Sequence, residues 1–144
     1  MDSIEGVVLT PLKQIPGPKG RVFHALKQSE SSYAGFGEAY FSEVYHGEVK
    51  GWKKHTRMVL NLIVPFGKIE FRMLDERSDS KTFGKTMTVE LSPENYQRLT
   101  VPAGIWMAFK GIGIGQNILL NIASIEHDPT ESVARELAEF PYEA

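Results

Sequence analysis

The sequence predicts an all-β sandwich or barrel closed by one short C-terminal helix. Three observations carry that expectation: about nine short β runs at regular spacing, two-residue alternation in the middle of the chain, and turn residues at most of the junctions.

Residues 6–10 form the first expected strand. Ile15-Pro16-Gly17-Pro18-Lys19-Gly20 is a turn, because proline presets φ and glycine permits positive φ. Residues 21–26 follow, then the aromatic-rich run 38–45. Residues 57–64 read as a buried strand that Pro65-Phe66-Gly67 turns into 68–74. There Ile69, Phe71 and Met73 alternate with Lys68, Glu70 and Arg72, giving one face to a core and one to water. Residues 75–84 are a polar loop. In 85–91 the alternation resumes, with Met87, Val89 and Leu91 on one side. Ser92-Pro93-Glu94-Asn95 has an N-cap residue followed by proline, which predicts a single helical turn. Residues 105–110 and 117–125 are the last strands, separated by a turn over 111–115. In the tail, Val133, Leu137 and Phe140 recur at helical spacing behind Thr130 as N-cap, so a helix is expected over 129–140. No repeat or low-complexity segment divides the chain, and a single domain over residues 1–144 is expected.

Composition narrows the function classes. A chain of 144 residues with 42% hydrophobic and 24% charged residues is globular in composition. A formal net charge of −2 argues against nucleic acid as a partner. No cysteine is present, so disulfides and thiolate metal sites are excluded. The first ten residues carry Asp2 and Glu5 and no long apolar run, and the longest apolar stretch, 58–66, is too short to span a bilayer. The expected setting is the cytoplasm, without membrane attachment.

Two motifs have ordinary explanations. Gly111-Ile112-Gly113-Ile114-Gly115 lacks the third glycine of a dinucleotide fingerprint and the lysine of a P-loop, and a strand follows it, so it reads as a hairpin turn. His24, His46, His55 and His127 include no histidine pair spaced by one residue, and no metal or other cofactor is implied. The densest chemistry lies in residues 45–57. Such a charge run is commonly a solvated hairpin. As a pocket wall, it offers Arg57 and Lys50 to hold a pyrophosphate and His55 to move a proton near neutral pH.

Ser80-Lys81-Thr82-Phe83-Gly84, followed by Leu91-Ser92-Pro93-Glu94-Asn95, is similar to the S-x-T-F-G … L-S-x-E-N run of the dTDP-4-dehydrorhamnose 3,5-epimerases. Asp75-Glu76-Arg77 stands where that family has D-x-R, and residues 98–105 resemble its Q-L-x-I-P-x-G-F. The resemblance spans roughly residues 17–129. It implies a double-stranded β-helix jelly roll of the cupin type, a homodimer with exchanged strands, and a nucleotide-linked sugar as substrate. The implied setting is deoxysugar or surface-polysaccharide biosynthesis, including O-antigen and lipopolysaccharide.

The same resemblance places the site. The family's R-G-L-H-x-Q motif falls on Lys50-Gly51-Trp52-Lys53-Lys54-His55, so its base is replaced by Lys53 and its glutamine by His55. In the related 3,4-ketoisomerases the region reads R-G-x-H-A-H-K, and His55 matches the second histidine. Arg57 matches the substrate-contacting lysine. The family's catalytic tyrosine falls near Leu120-Asn121, and a leucine cannot donate a proton. Lys19 matches an arginine at the nucleotide, while His24 replaces a glutamate.

The resulting candidates are His55 and Lys53 for catalysis, and Arg57, Lys50, Lys19, Tyr45 and Glu43 for substrate. Lys53 could act as a base only if burial or neighbouring cations lowered its pKa by several units. Tyr40, Tyr45 and Glu43 share a strand, and any of them could supply the acid. Three functions remain open on these residues: an active epimerase or ketoisomerase, a silent relative that binds a sugar nucleotide or a pathway enzyme, and an unrelated small-molecule cupin, with or without a metal.

Overall fold

The computed structural model describes residues 3–143. Among the described residues there are twelve strands: β1 (Val8–Pro11), β2 (Gln14–Ile15), β3 (Val22–Phe23), β4 (Glu38–Glu43), β5 (Val49–His55), β6 (Leu60–Phe66), β7 (Ile69–Asp75), β8 (Thr86–Leu91), β9 (Gln97–Val101), β10 (Ile105–Gly111), β11 (Ile118–Ala123) and β12 (Ser132–Ala134). They form two five-stranded antiparallel sheets, ordered β1-β9-β6-β11-β4 and β12-β5-β10-β7-β8, plus the small hairpin β2-β3. The sheets pack face to face as a jelly roll. The non-sequential neighbours show why the core assembles from residues far apart in the chain.

Alternation decides which side chains enter that core. Along β8, Met87, Val89 and Leu91 are buried and Thr86, Thr88 and Glu90 are exposed. Along β7, Ile69, Phe71 and Met73 are fully buried and meet Leu99, Val101 and Leu62 from the other sheet in one cluster. Each such side chain contributes about 1.5–3 kcal/mol of burial.

The loop after β7 is held by one carboxylate. Asp75 is fully buried and accepts hydrogen bonds from Arg77 Nε (2.9 Å), Ser80 Oγ (2.5 Å) and Thr82 Oγ1 (2.6 Å). The Arg77 guanidinium, with the two hydroxyls, outweighs burial and holds the Asp75 carboxyl far below the usual carboxylate range. The D-x-R … S-x-T run is therefore a structural clasp. A second buried cation, Arg98 on β9, bonds Glu30 (2.9 Å), Ser32 (2.6 Å) and the Ala25 carbonyl (2.6 Å), and fixes the segment before β4 against the first sheet.

Several expectations are corrected. Residues 129–140 do not form a helix. Ser132–Ala134 is instead the edge strand β12, paired with β5 through Ser132–His55, Val133–Lys54 and Ala134–Lys53. The physical cause is twofold. The free edge of β5 takes backbone partners, and Leu137, Phe140 and Tyr142 then fold over Trp52 and Trp106 on the outer face of the second sheet. Phe140 stacks on Trp52 at 4.5 Å, and Val133 remains exposed. Residues 92–95 form a tight turn in which Ser92 Oγ accepts from the Asn95 amide, not a helical turn. The charged run 49–55 is a strand, and residues 97–101 add another.

Candidate active site

A cavity of about 400 Å³ lies between the two sheets. Its floor is apolar, with Leu60, Leu62, Met107, Phe109 and Leu119. Its polar groups sit on two facing walls. Lys50, Lys53 and His55 come from β5 in the second sheet, and Tyr40, Ser42 and Asn121 come from β4 and β11 in the first.

Simple alternation would put Lys50 and Lys53 on opposite faces of β5. A bulge prevents this. Met107 pairs with Lys53 but Phe109 pairs with Lys50, so β5 carries one extra residue. The bulge centres on Gly51, at φ +140°, where a Cβ would stand 2.6 Å from that of Ala108. Only glycine allows β5 to approach β10 this closely while both lysines reach the cavity. Lys50 Nζ donates to the Glu43 carbonyl (2.6 Å) and to Ser42 Oγ (3.3 Å), which ties β5 to β4 at one end of the site. Lys53 makes no ion pair among the described residues.

His55 is the most constrained of these groups. Its side chain is 16% exposed, and its Nδ1 is hydrogen-bonded to Glu131 Oε1. Glu131 is itself 1% exposed at the side chain. Its Oε2 accepts the backbone amides of Arg57 and Met58, both at 3.1 Å. Its carbonyl takes the Thr56 amide (2.7 Å) and hydroxyl (2.6 Å). Burial alone would raise the Glu131 carboxyl. The hydrogen bonds from His55 and the two amides outweigh it and hold the group below the usual glutamate value, as a carboxylate. A carboxylate at Nδ1 keeps the proton on that nitrogen and leaves Nε2 as an acceptor on a ring that lines the cavity. This is the arrangement a general base requires.

The other candidates lie elsewhere. Arg57 is exposed and pairs with Asp128 at 2.8 Å. Lys19 is exposed in the turn between β2 and β3. Tyr45 is 70% exposed beyond the end of β4. Glu43 accepts Gln116 Nε2 at 2.7 Å and lines no part of the cavity. The structure thus brings His55, Lys53 and Lys50 together and leaves Arg57, Lys19, Tyr45 and Glu43 outside. Sequence reasoning did not find Glu131, which lies 76 positions from His55 in an acid-rich tail. It did not find Asn121 as a polar group of the site either.

Among the described residues no three His, Cys, Asp or Glu side chains cluster as a metal site needs, and no helix is long and apolar enough to cross a membrane.

The sequence pattern of the dTDP-4-dehydrorhamnose 3,5-epimerases matches residues 2–131. The chain is 27% identical over 130 residues to the probable low-salt glycan biosynthesis epimerase Agl13 of Haloferax volcanii, covering 89% of this chain and 83% of that protein. A crystal structure of a dTDP sugar isomerase from Desulfovibrio desulfuricans superposes with a TM-score of 0.89 at 36% identity, over 92% of this chain and 85% of that one. The dTDP-4-dehydrorhamnose 3,5-epimerase of Sulfolobus tokodaii shares the fold with a TM-score of 0.86 at 21% identity, over 99% and 84% of the two chains.

Proposed function

The chain belongs to the dTDP-4-dehydrorhamnose 3,5-epimerase family, and from that premise we propose that it is a sugar-nucleotide epimerase or ketoisomerase of polysaccharide biosynthesis acting on an NDP-4-keto-6-deoxyhexose, with His55 as its base. The observation that carries this reading is the pairing of His55 with the buried carboxylate of Glu131 at the wall of the cavity.

The chemistry follows from the ketone. A carbon beside C4 carries an acidified proton, and removing it leaves an enolate. His55 Nε2 accepts that proton while Glu131 stabilises the imidazolium that forms. Lys50 and Lys53 place two positive charges on the same wall, where they stabilise the enolate oxygen and the diphosphate. The apolar floor suits a 6-deoxy sugar, whose methyl group needs no hydrogen-bond partner, and it excludes water from the anion. In the relatives' names the substrates are dTDP sugars. The thymidine nucleotide is accordingly the first to test.

A homodimer belongs to the same proposal. Phe41 and Phe66 are 70% and 57% exposed on the outer face of the first sheet, and the half-buried Leu120 is paired with Phe41 on that face. A second copy would cover these residues, and sedimentation equilibrium measures whether it does.

The function is tested by incubating the protein with a panel of NDP-4-keto-6-deoxyhexoses and following the products by NMR. A new sugar isomer, formed in proportion to enzyme, supports the proposal. Binding by calorimetry without any product overturns it in favour of a silent sugar-nucleotide-binding relative.

A further inference from the structure

We propose that Tyr40 is the proton donor on the wall opposite His55, oriented by Asn121. This assignment rests on the function proposed above and adds the group that would complete an inversion.

Inverting a carbon requires a proton taken from one face and another delivered to the opposite face. His55 belongs to β5 in the second sheet, so the donor must come from the first sheet. The polar side chains that this sheet gives the cavity are Tyr40, Ser42 and Asn121. Ser42 accepts from Lys50 at 3.3 Å, but an aliphatic hydroxyl is too weak an acid for this step, and an asparagine amide does not serve as one either. Tyr40 carries a phenol, which does.

The geometry around Tyr40 favours the same role. Asn121 pairs directly with Tyr40 across β11 and β4, and its Nδ2 donates to the phenol oxygen at 3.0 Å. An oxygen that accepts this bond keeps its own hydrogen available for the cavity, and the same bond stabilises the phenolate left after proton transfer. Asn121 is 2% exposed, and its Oδ1 is a buried oxygen with no hydrogen-bond partner. Such an atom marks an incomplete site. A hydroxyl of the sugar would complete it and set the reacting carbon beside Tyr40.

The step balances without a co-reactant. His55 Nε2 removes the proton as the C–H bond breaks on one face. The Tyr40 O–H bond breaks as a new C–H bond forms on the other. Solvent then returns a proton to the phenolate and takes one from the imidazolium.

The test separates exchange from inversion. Wild type, Tyr40→Phe, Asn121→Ala and His55→Asn are incubated in D₂O with dTDP-4-keto-6-deoxyglucose, and deuterium uptake and product stereochemistry are read by NMR. Tyr40 is 46% exposed on an edge strand, so phenylalanine leaves the fold intact. Tyr40→Phe is expected to keep taking up deuterium with retained configuration, while epimer formation falls on the order of 10²-fold or more. Asn121→Ala is expected to show the same split with a smaller loss. Epimer formed by Tyr40→Phe at the wild-type rate overturns this assignment alone. No uptake by the wild type with this substrate or with any other member of the NDP-4-keto-6-deoxyhexose panel overturns the proposed function and this assignment with it.

Discussion

Glutamine at position 131 separates the chemistry of the His55 pair from its packing. Glu131 uses both oxygens: Oε1 receives His55 Nδ1, and Oε2 receives the amides of Arg57 and Met58 at 3.1 Å each. A glutamine has only one oxygen. With that oxygen on the two amides, its NH₂ group faces Nδ1 and forces the ring proton onto Nε2, so the nitrogen meant to accept a proton already holds one. The alternative orientation leaves two buried amides facing a donor, at about 1–3 kcal/mol each, and is disfavoured. Exchanging charge-assisted for neutral hydrogen bonds costs about 1–2 kcal/mol, or roughly 3–6 °C in Tm for a chain of this size. The wrong tautomer lowers kcat on the order of 10³–10⁴. Calorimetric melting and initial rates at saturating substrate measure both. The sign with pH also follows. The Glu131 carboxyl is held below its ordinary value, so its stabilisation is complete above the unfolded glutamate pKa of about 4.3 and is lost as pH falls through the folded value. The difference in Tm between Glu131→Gln and wild type should therefore narrow below about pH 4. A variant that melts several degrees lower but keeps wild-type kcat would rule out a role for Glu131 in orienting His55, because Glu131 would then only pack.

Lys50→Met removes the ammonium bonded to the Glu43 carbonyl at 2.6 Å. It should raise KM for an NDP-sugar on the order of tenfold or more, the loss of one charge-assisted contact, while Tm moves little. Asp75→Asn should lower stability by about 3 kcal/mol at neutral pH by breaking the clasp of Arg77, Ser80 and Thr82. Because the folded Asp75 carboxyl is strongly depressed, its contribution is present above the unfolded value of about 3.9 and fades below it. Acid melting curves of wild type and Asp75→Asn should converge there.

The parts of the fold that follow one physical rule were legible in the sequence. β7 and β8 alternate with a dry face and a wet face, and the structure buries Ile69, Phe71, Met73, Met87, Val89 and Leu91 as that pattern requires. β5 was harder to see because its inward residues are lysines. A bulge at Gly51 turns Lys50 and Lys53 to the same side, and no local pattern distinguishes a charged cavity wall from a charged surface. The tail misled for a related reason. Leu137 and Phe140 are spaced like a helix, yet they cover Trp52 and Trp106 from a segment whose start is an edge strand.

The site was legible as far as one run of chain carries it. His55, Lys53 and Lys50 lie within six residues and reach one cavity. The partners that give them function come through the sheet topology. Glu131 meets His55 because β12 pairs with β5, and Asn121 meets Tyr40 because β11 pairs with β4. Such pairings join residues more than seventy positions apart, and single-sequence spacing does not contain them.

In the proposed reaction His55 removes a proton beside a sugar ketone. That role is measured by the rate of solvent deuterium incorporation next to C4 of dTDP-4-keto-6-deoxyglucose, compared between the wild type and His55→Asn at neutral pH. Incorporation is expected for the wild type and should fall to the uncatalysed background in His55→Asn, with Tm and nucleotide-sugar binding retained. Incorporation that persists in His55→Asn would contradict that role and assign the base to another group.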